Sequence, residues 1–587
     1  MVVLGLSFCH NSSACVIVDG VIKSAISRER LCRIKGAEYI REPMLNYVLQ
    51  KAGVSLNEID YVALSYWTNY DVESIVKVFM YNEDLWLLNN PTHRLSKLPR
   101  ETQNGYPGLT YVNFDFPSLV KPYLVEERAS LKIKVEIMGN LFDGFIVDHH
   151  HAHAASTFFT SPFNKSAIFT YDSTDVNPYQ NSLFSIGSNT GIESYLYPGM
   201  QAAFWYANIT VGLGYFPGVE KCGTVMGLAS YGNVLPKVKE NISEFTQSYW
   251  QRPHRIEEYK YSHNLFSYLS GYPSWDYNPL KTRPYNDDFQ TDYALDHTSD
   301  DEFSQDVAAS MQYIFEENIY SHLNYLYEKT ESFNDGNLCL AGGGALNCTT
   351  NGKITQRTPF KNVHIYPAAG DDGLSVGAAL YVTHNVYNKH RVNHSFSELA
   401  YTGMEYPTPE GGEDLDLEFL AKSIHEGKVI AWFQGGSEFG PRALGHRSFL
   451  ANPTIKEMRD YINYEIKNRE WFRPFAPVVC VEDYRRYFDL DSESPFMLKS
   501  CQVLTDELPS VTHVDNSARP QTLHREDNPR LYDLIREFEK LSGHPVLLNT
   551  SLNGKGEPIV EDIKDVMKLY ENSKVDIMVI NEKMWVK

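Results

Sequence analysis

Val2-Val3-Leu4-Gly5-Leu6-Ser7-Phe8 opens a pattern whose reading decides the fold. This apolar strand runs into a polar turn, Cys9 to Ser13. Ala14 to Val18 reads as a second strand, Asp19-Gly20 as a hairpin turn and Val21 to Ser27 as a third strand. A helix near Pro43 to Ala52 and a strand near Tyr61 to Ser65 follow. The same order then returns. Ser166 to Asp172 is a strand, Ser173 to Gln180 a polar loop and Ser182 to Gly187 a strand; Ile192 to Tyr197 is another, after an Asn-Thr-Gly turn. Two antiparallel meanders, each opening a block of helices and strands, predict an internally duplicated α/β domain. Such a domain usually binds a nucleotide in the cleft between its halves.

Just before the second meander lies Val147-Asp148-His149-His150-His151-Ala152-His153-Ala154-Ala155-Ser156, with four of the chain's 19 histidines close together. Asp143 to Asp148 reads as a short strand and Ala152 to Phe159 as the first turns of a helix. His149 and His153 are four apart, which on a helix puts both imidazoles on one face, close enough to share a metal ion. The competing reading is solvated or satisfied core histidines. Two neutral histidines seldom close a metal site alone, and a carboxylate is the natural third ligand. Ile365 to Leu380 supplies one: a strand ends, Gly370-Asp371-Asp372-Gly373 forms a loop, and a small-residue helix begins. Asp371 suits a ligand and Asp372 a helix N-cap. Both aspartates as caps alone is the alternative.

With 587 residues the chain expects more than one domain. Its 43% hydrophobic and 13% aromatic content fills large cores. The net charge of −21 argues against a broad nucleic-acid or anionic-membrane surface. The eight cysteines include no CxxC pair, which suits reduced thiols in a cytoplasmic protein. Met1 to Phe8 lacks the basic and long apolar regions of a signal peptide. No apolar run approaches the roughly 20 residues of a membrane helix. Tyr70 to Val125 and Tyr249 to Asp300 are long, aromatic and poorly periodic. Such loops tend to be functional; these can wall an acceptor pocket or form the interface of a homodimer.

Leu338 to Cys348 reads as a strand, a glycine loop (Gly342-Gly343-Gly344) and a helix start. Glycines admit a nucleotide close to the backbone, and a helix N-terminus favours anions; turning the chain is the plainer role. Periodicity lapses around Arg391 to Gly412, dividing 1–395 from 396–587. Beyond the boundary come a helix (Leu415 to Glu426), a strand (Lys428 to Phe433) and loops bearing Arg442, Arg447, Lys467, Arg469, Arg473 and Arg519. Gly440-Pro441-Arg442 and Gly445-His446-Arg447 hold two of these in place, and guanidinium forks match phosphate oxygens bidentately. The alternative is a solvated charged face. Leu547 to Ser551 looks like a strand ending in polar groups that can join such a pocket.

Taken together, these segments resemble the O-carbamoyltransferases of antibiotic and nodulation-factor biosynthesis. The parts that carry the resemblance are His149 to Ser156, Leu340 to Cys348, Gly370 to Ala379, Gly440 to Ser448, Lys467 to Pro477, Ser517 to Thr522 and Leu548 to Val560. The resemblance implies an N-terminal actin/sugar-kinase-like (ASKHA) domain over 1–395 and an α/β YrdC-like domain over 396–587. It also implies a reaction in two stages. Carbamoyl phosphate and ATP, with Mg2+, give carbamoyl-adenylate in the C-terminal domain. The carbamoyl group then passes to a hydroxyl of a small natural-product acceptor in the N-terminal domain. The resemblance makes His149, His153 and Asp371 the ligands of a divalent metal, Fe2+ ahead of Zn or Mn. Asp172, Gly342, Gly343 and Asn347 would bind nucleotide there. His10 would be the general base, with Asp276 of the Trp275-Asp276 pair facing the acceptor. Lys467, Arg473 and Arg519, with Arg442 and Arg447 beside them and Asn549 and Thr550 nearby, would bind carbamoyl phosphate and ATP.

Some positions depart from the family pattern. His10 is followed by Asn11 rather than Asp, the EEER segment reads Ser27-Arg28-Glu29-Arg30, the DGxGE motif reads Asp172-Ser173-Thr174-Asp175, and Thr224 stands where a Lys is common. These changes gather on the acceptor and nucleotide side of the first domain, so they bear on acceptor identity more than on activation. A sugar-kinase-like phosphotransferase using the first domain alone is the alternative enzyme, and it would leave the C-terminal arginines without a role. A nucleotide-gated binding protein, with His10 and the metal ligands idle, is the alternative without chemistry.

Overall fold

A computed structural model describes residues 1–8, 10–65, 75–81, 100–101, 108–112, 129–172, 181–196, 198–215, 217–246, 265, 269 and 301–587. The two meanders form as expected. Val2–Ser7, Ser13–Val18 and Val21–Ser27 pair antiparallel in sequence. The first of them pairs in parallel with Tyr61–Leu64, which pairs in parallel with Asn140–Val147. The second block repeats this step for step. Ser166–Tyr171, Ser182–Ser188 and Gly191–Leu196 make the meander, and Asn337–Ala341 and Asn362–Ile365 add the two parallel strands. In both sheets the strand order is third, second, first, fourth, fifth. The duplication expected from the sequence is therefore present at the level of topology, in a mixed α/β fold.

The first sheet is larger than its repeat. Val76–Tyr81, Arg100–Glu101, Leu109–Val112 and Ser130–Ile137 extend it to nine strands. Part of the first aromatic insertion is thus strand rather than loop. Ser130–Ile137 alternates buried and open positions, the pattern of a strand with one face in a core. The second insertion, with Trp275 and Asp276, lies outside the described residues apart from Leu265 and Leu269.

Two helices fill the space between the repeats. His149–Phe159 is buried along its whole length and packs on Leu374–Tyr381. Gly377 allows the close approach, since a Cβ there would come 1.9 Å from the Ala152 carbonyl oxygen. A third, eight-stranded sheet is built from residues 413–586. Leu417–His425 and Ile430–Phe433 are the helix and strand expected at its start. Among the described residues no helix is long and apolar enough to cross a membrane.

Candidate active site

Strand Asn140–Val147 ends at Asp148, whose carboxylate caps the next helix by accepting from the His151 backbone N–H at 3.2 Å. The same oxygen lies 2.7 Å from His151 Nδ1. Burial opposes its charge, but the His151 hydrogen bond and the surrounding histidines outweigh that and hold the carboxyl down at about 2. This cap fixes the helix phase, and with it the direction of His149 and His153.

The two imidazoles stand 4.7 Å apart, centre to centre. His153 Nε2 lies 3.1 Å from Asp172 Oδ2 and 3.3 Å from Asp371 Oδ1. His149 Nε2 lies 3.6 Å and 3.7 Å from the same two oxygens. All four side chains are buried. Donors bound at about 2.1 Å around a tetrahedral ion stand about 3.4 Å apart. Two imidazole nitrogens and two carboxylates at these spacings fit a divalent cation. Burial disfavours the charged His153 ring, yet the bonds to Asp172 and Asp371 prevail and raise it to about 9. Burial likewise opposes the Asp172 charge, and the two histidines reverse this, holding it well below the usual carboxylate range.

The structure thus brings together His149, His153 and Asp371, and adds Asp172. The resemblance gives Asp172 a nucleotide-binding role; in the structure its Oδ2 also faces both histidines. The two assignments meet in the glycine loop. The Gly343 N–H donates to Asp172 Oδ2 at 3.1 Å, and a Cβ on Gly343 would come 3.0 Å from Asp172 Oδ1. Gly342 has φ of +94°, and a Cβ there would strike the Tyr171 carbonyl oxygen at 2.1 Å. These glycines are required by close packing on the strand that delivers Asp172.

One expectation is corrected, that of Asp372 as a helix cap. Asp372 does not cap the following helix; it lies in the short 3-10 turn before it, and the helix begins at Leu374 after Gly373. Burial, then Glu29 and Asp371, pushes its carboxyl up to about 7. The carboxylate beside His10 among the described residues is Asp371, 3.5 Å from Nδ1, whereas Asp276 lies outside them. The Asn347 side chain is largely committed to the protein. Its Oδ1 accepts from Thr350 N–H at 3.1 Å and from Gln312, and its Nδ2 donates back to Gln312 Oε1 at 3.0 Å. Gln312, on the helix Glu302–Asn334, carried no motif signal in the sequence.

In the C-terminal part the loop from Gly440 winds around one buried carboxylate. Glu438 Oε1 accepts from Leu444, His446 and Arg447 N–H at 2.8, 2.8 and 3.0 Å. Arg442 projects from this loop toward Arg519 and Arg473. Although part of its surface is open, its surroundings are those of a buried group: burial, then repulsion by Arg519 and Arg473, lowers it to about 9. Lys467 is 4% exposed and donates to Ser551 and Asn553 rather than to a carboxylate. Burial, with Arg469, Arg473 and Lys35, pulls it well below the usual lysine range. The Nε atoms of Arg442 and Arg519 are buried without a hydrogen-bond partner among the described residues. Asn549 donates to Ala443 O and Gln521 Oε1, and Thr550 pairs with Phe449 in the adjoining strand. Arg447 belongs elsewhere. It is fully buried, its guanidinium donates to the carbonyls of Gln434, Gly435, His446 and Glu561, and it lies 3.6 Å over the Phe433 ring. Its fork is spent on the protein and holds the Gly435 turn instead of facing an anion.

Residues 2–380 match the carbamoyltransferase N-terminus family and residues 421–587 the carbamoyltransferase C-terminus family. An uncharacterized protein of Synechocystis sp. is 31% identical over 98% of this chain and 95% of its own length. Nodulation protein NolNO of Sinorhizobium fredii is 30% identical over 98% of this chain and 78% of its own. The 3'-hydroxymethylcephem-O-carbamoyltransferase of Amycolatopsis lactamdurans is 37% identical over 42% of this chain and 48% of its own.

Proposed function

The chain belongs to the carbamoyltransferase family, and from that premise we propose that it is an ATP- and carbamoyl phosphate-dependent O-carbamoyltransferase acting on a hydroxyl of a small natural product. The observation that carries the reading is the pairing of a buried His-Asp cluster in the first part with a cation cluster in the second, where Glu470 pairs with Arg473 but Lys467 donates to no carboxylate among the described residues. The relatives named for O-carbamoyl transfer and nodulation support the acceptor class.

Carbamate is a poor electrophile, so it needs a leaving group. Arg442, Lys467, Arg473 and Arg519 would hold the phosphates of carbamoyl phosphate and ATP. Water cleaves carbamoyl phosphate to carbamate and phosphate, and a carbamate oxygen attacks the α-phosphorus as pyrophosphate departs. The resulting carbamoyl-adenylate hydrolyses easily, and an enclosed site protects it. The acceptor hydroxyl then attacks the carbamoyl carbon and AMP leaves. His10 Nδ1 faces Asp371, so its other ring nitrogen is free to take the hydroxyl proton. His149, His153, Asp172 and Asp371 would hold a divalent ion, with Fe2+ as the expected species. When bound, that ion supplies Lewis acidity next to the reacting carbonyl.

The test is to incubate the protein with carbamoyl phosphate, ATP and Mg2+. AMP plus pyrophosphate is the expected outcome. ADP instead would decide for a sugar-kinase-like phosphotransfer, and no nucleotide turnover would leave neither reading standing.

A further inference from the structure

The cation cluster of the C-terminal part does not end at the domain boundary. Helix Gly218–Ala229 lies against Trp471–Pro474: Tyr231 and Trp471 rings stand 5.0 Å apart, and a Cβ on Gly227 would come 3.3 Å from Pro474. Lys221 and Thr224, three apart, share one face of this helix. The face is turned to Arg473, whose Nη1 donates to Thr224 Oγ1 at 2.8 Å. Lys35 comes in from a second element. The neighbouring Gly36 touches Glu220, whose Oε1 would lie 2.0 Å from a Cβ there, and is 3.4 Å from the His10 carbonyl by the same measure. Lys35 is a charged neighbour of both Lys221 and Lys467. The acidic groups at this seam among the described residues are Glu220, Glu470 and Glu29, which accepts from the Gly36 N–H at 3.0 Å, and Glu470 is already 3.4 Å from Arg473. In a chain of net charge −21, cations from both parts therefore meet with too few carboxylates to balance them. Burial, with repulsion from Lys35 and Arg473, lowers the Lys221 ammonium below its usual range despite these carboxylates. Such crowding is stabilised by a bound polyanion.

We propose that Lys35 and Lys221 are anion-binding residues, contributed by the N-terminal part, that with Arg473 form the wall of the phosphate pocket facing the metal centre. The pocket is then complete only when the two parts are docked. The ligand chemistry is a phosphoryl or pyrophosphoryl group. The inference rests on the cluster being a phosphate pocket, but not on adenylate formation.

Inorganic pyrophosphate is the probe, titrated by calorimetry into the full-length protein. Lys221→Met is expected to weaken binding by about tenfold, as loss of one charge-assisted contact does. Lys35→Met, at an exposed position, should cost about threefold. Lys221→Arg should restore most of the affinity, and Lys540→Met, on a remote surface, should change nothing. Wild-type affinity in Lys221→Met, or no pyrophosphate binding by the wild type, overturns the inference. AMP formation in the wild type with unaltered pyrophosphate binding in the variants sinks the inference alone. Weakened binding in the variants without AMP formation in the wild type sinks the adenylation reading alone.

Discussion

Glu438 shows how a single residue can aim another that does the chemistry. One of its oxygens serves three backbone N–H groups of the loop that carries Arg442. Glu438→Gln keeps an acceptor there but removes its charge, and hydrogen bonds to a charged group are the stronger kind, about 1.5–3 kcal/mol. The expected result is a rise of about tenfold in the KM for carbamoyl phosphate with a smaller change in kcat, read from pyrophosphate release. An unchanged KM would mean that the loop holds its shape without the charge. His153 carries a different prediction. It is the donor closest to both carboxylates, so His153→Ala should lose the metal measured by elemental analysis while AMP and pyrophosphate still form. Equal loss of pyrophosphate release would contradict the division of labour between the two clusters.

At the scale of the element, the histidine helix depends on its cap. Asp148→Ala removes the acceptor for the His151 N–H and the His151 ring partner together. Lost N-caps cost about 1 kcal/mol, so the thermal midpoint should fall by a few degrees, and metal content should fall with it as the helix loses its phase. A lowered midpoint with full metal content would show that strand and helix packing alone fix the donors. This element also shows what was legible beforehand. Its i, i+4 histidines, the strand before it and the partner Asp371 were readable because helical spacing and Gly-flanked acidic loops are local signals. The meanders were readable for the same reason, with Val21–Ser27 matching residue for residue. Asp172 was readable as a site residue, but its nearness to the histidines was not, because that depends on the non-local parallel pairing of Ser166–Tyr171 with Asn337–Ala341. Arg447 was misread because sequence shows a guanidinium but not the four carbonyls that absorb it. Gln312 was invisible, since its link to Asn347 spans 35 residues.

Across the whole molecule, the two parts are fastened at several points of the seam. Besides Thr224 and Arg473, the short helix Arg28–Cys32 reaches over: Arg30 Nη2 donates to Gly440 O at 2.8 Å. Arg33 donates to Pro558 O and Ile559 O at 2.7 and 2.6 Å. The connecting segment around Thr402 is gripped between the parts. Thr402 Oγ1 donates to Ala25 O at 2.9 Å, and Met404 N–H donates to the Tyr47 hydroxyl, which itself donates to Glu561. A protease cutting in Ala400 to Gly412 therefore reports undocking, because these bonds cannot be kept when the seam opens. Arg33 is a quarter exposed, so its two carbonyl bonds contribute about 1 kcal/mol each after screening. Arg33→Ala should then favour the open state by about 2 kcal/mol, roughly 30-fold in population. Cleavage between residues 400 and 412 should quicken by about that factor when reclosing outruns cutting. Saturating pyrophosphate should slow this cleavage in wild type and variant alike, since a pocket walled by Lys35 and Lys221 holds its ligand only in the docked state, while far-ultraviolet circular dichroism stays as in the wild type. Cleavage at the wild-type rate would show that the other contacts of the seam hold the parts together without Arg33. Faster cleavage that pyrophosphate does not slow would place the whole phosphate pocket inside the C-terminal part.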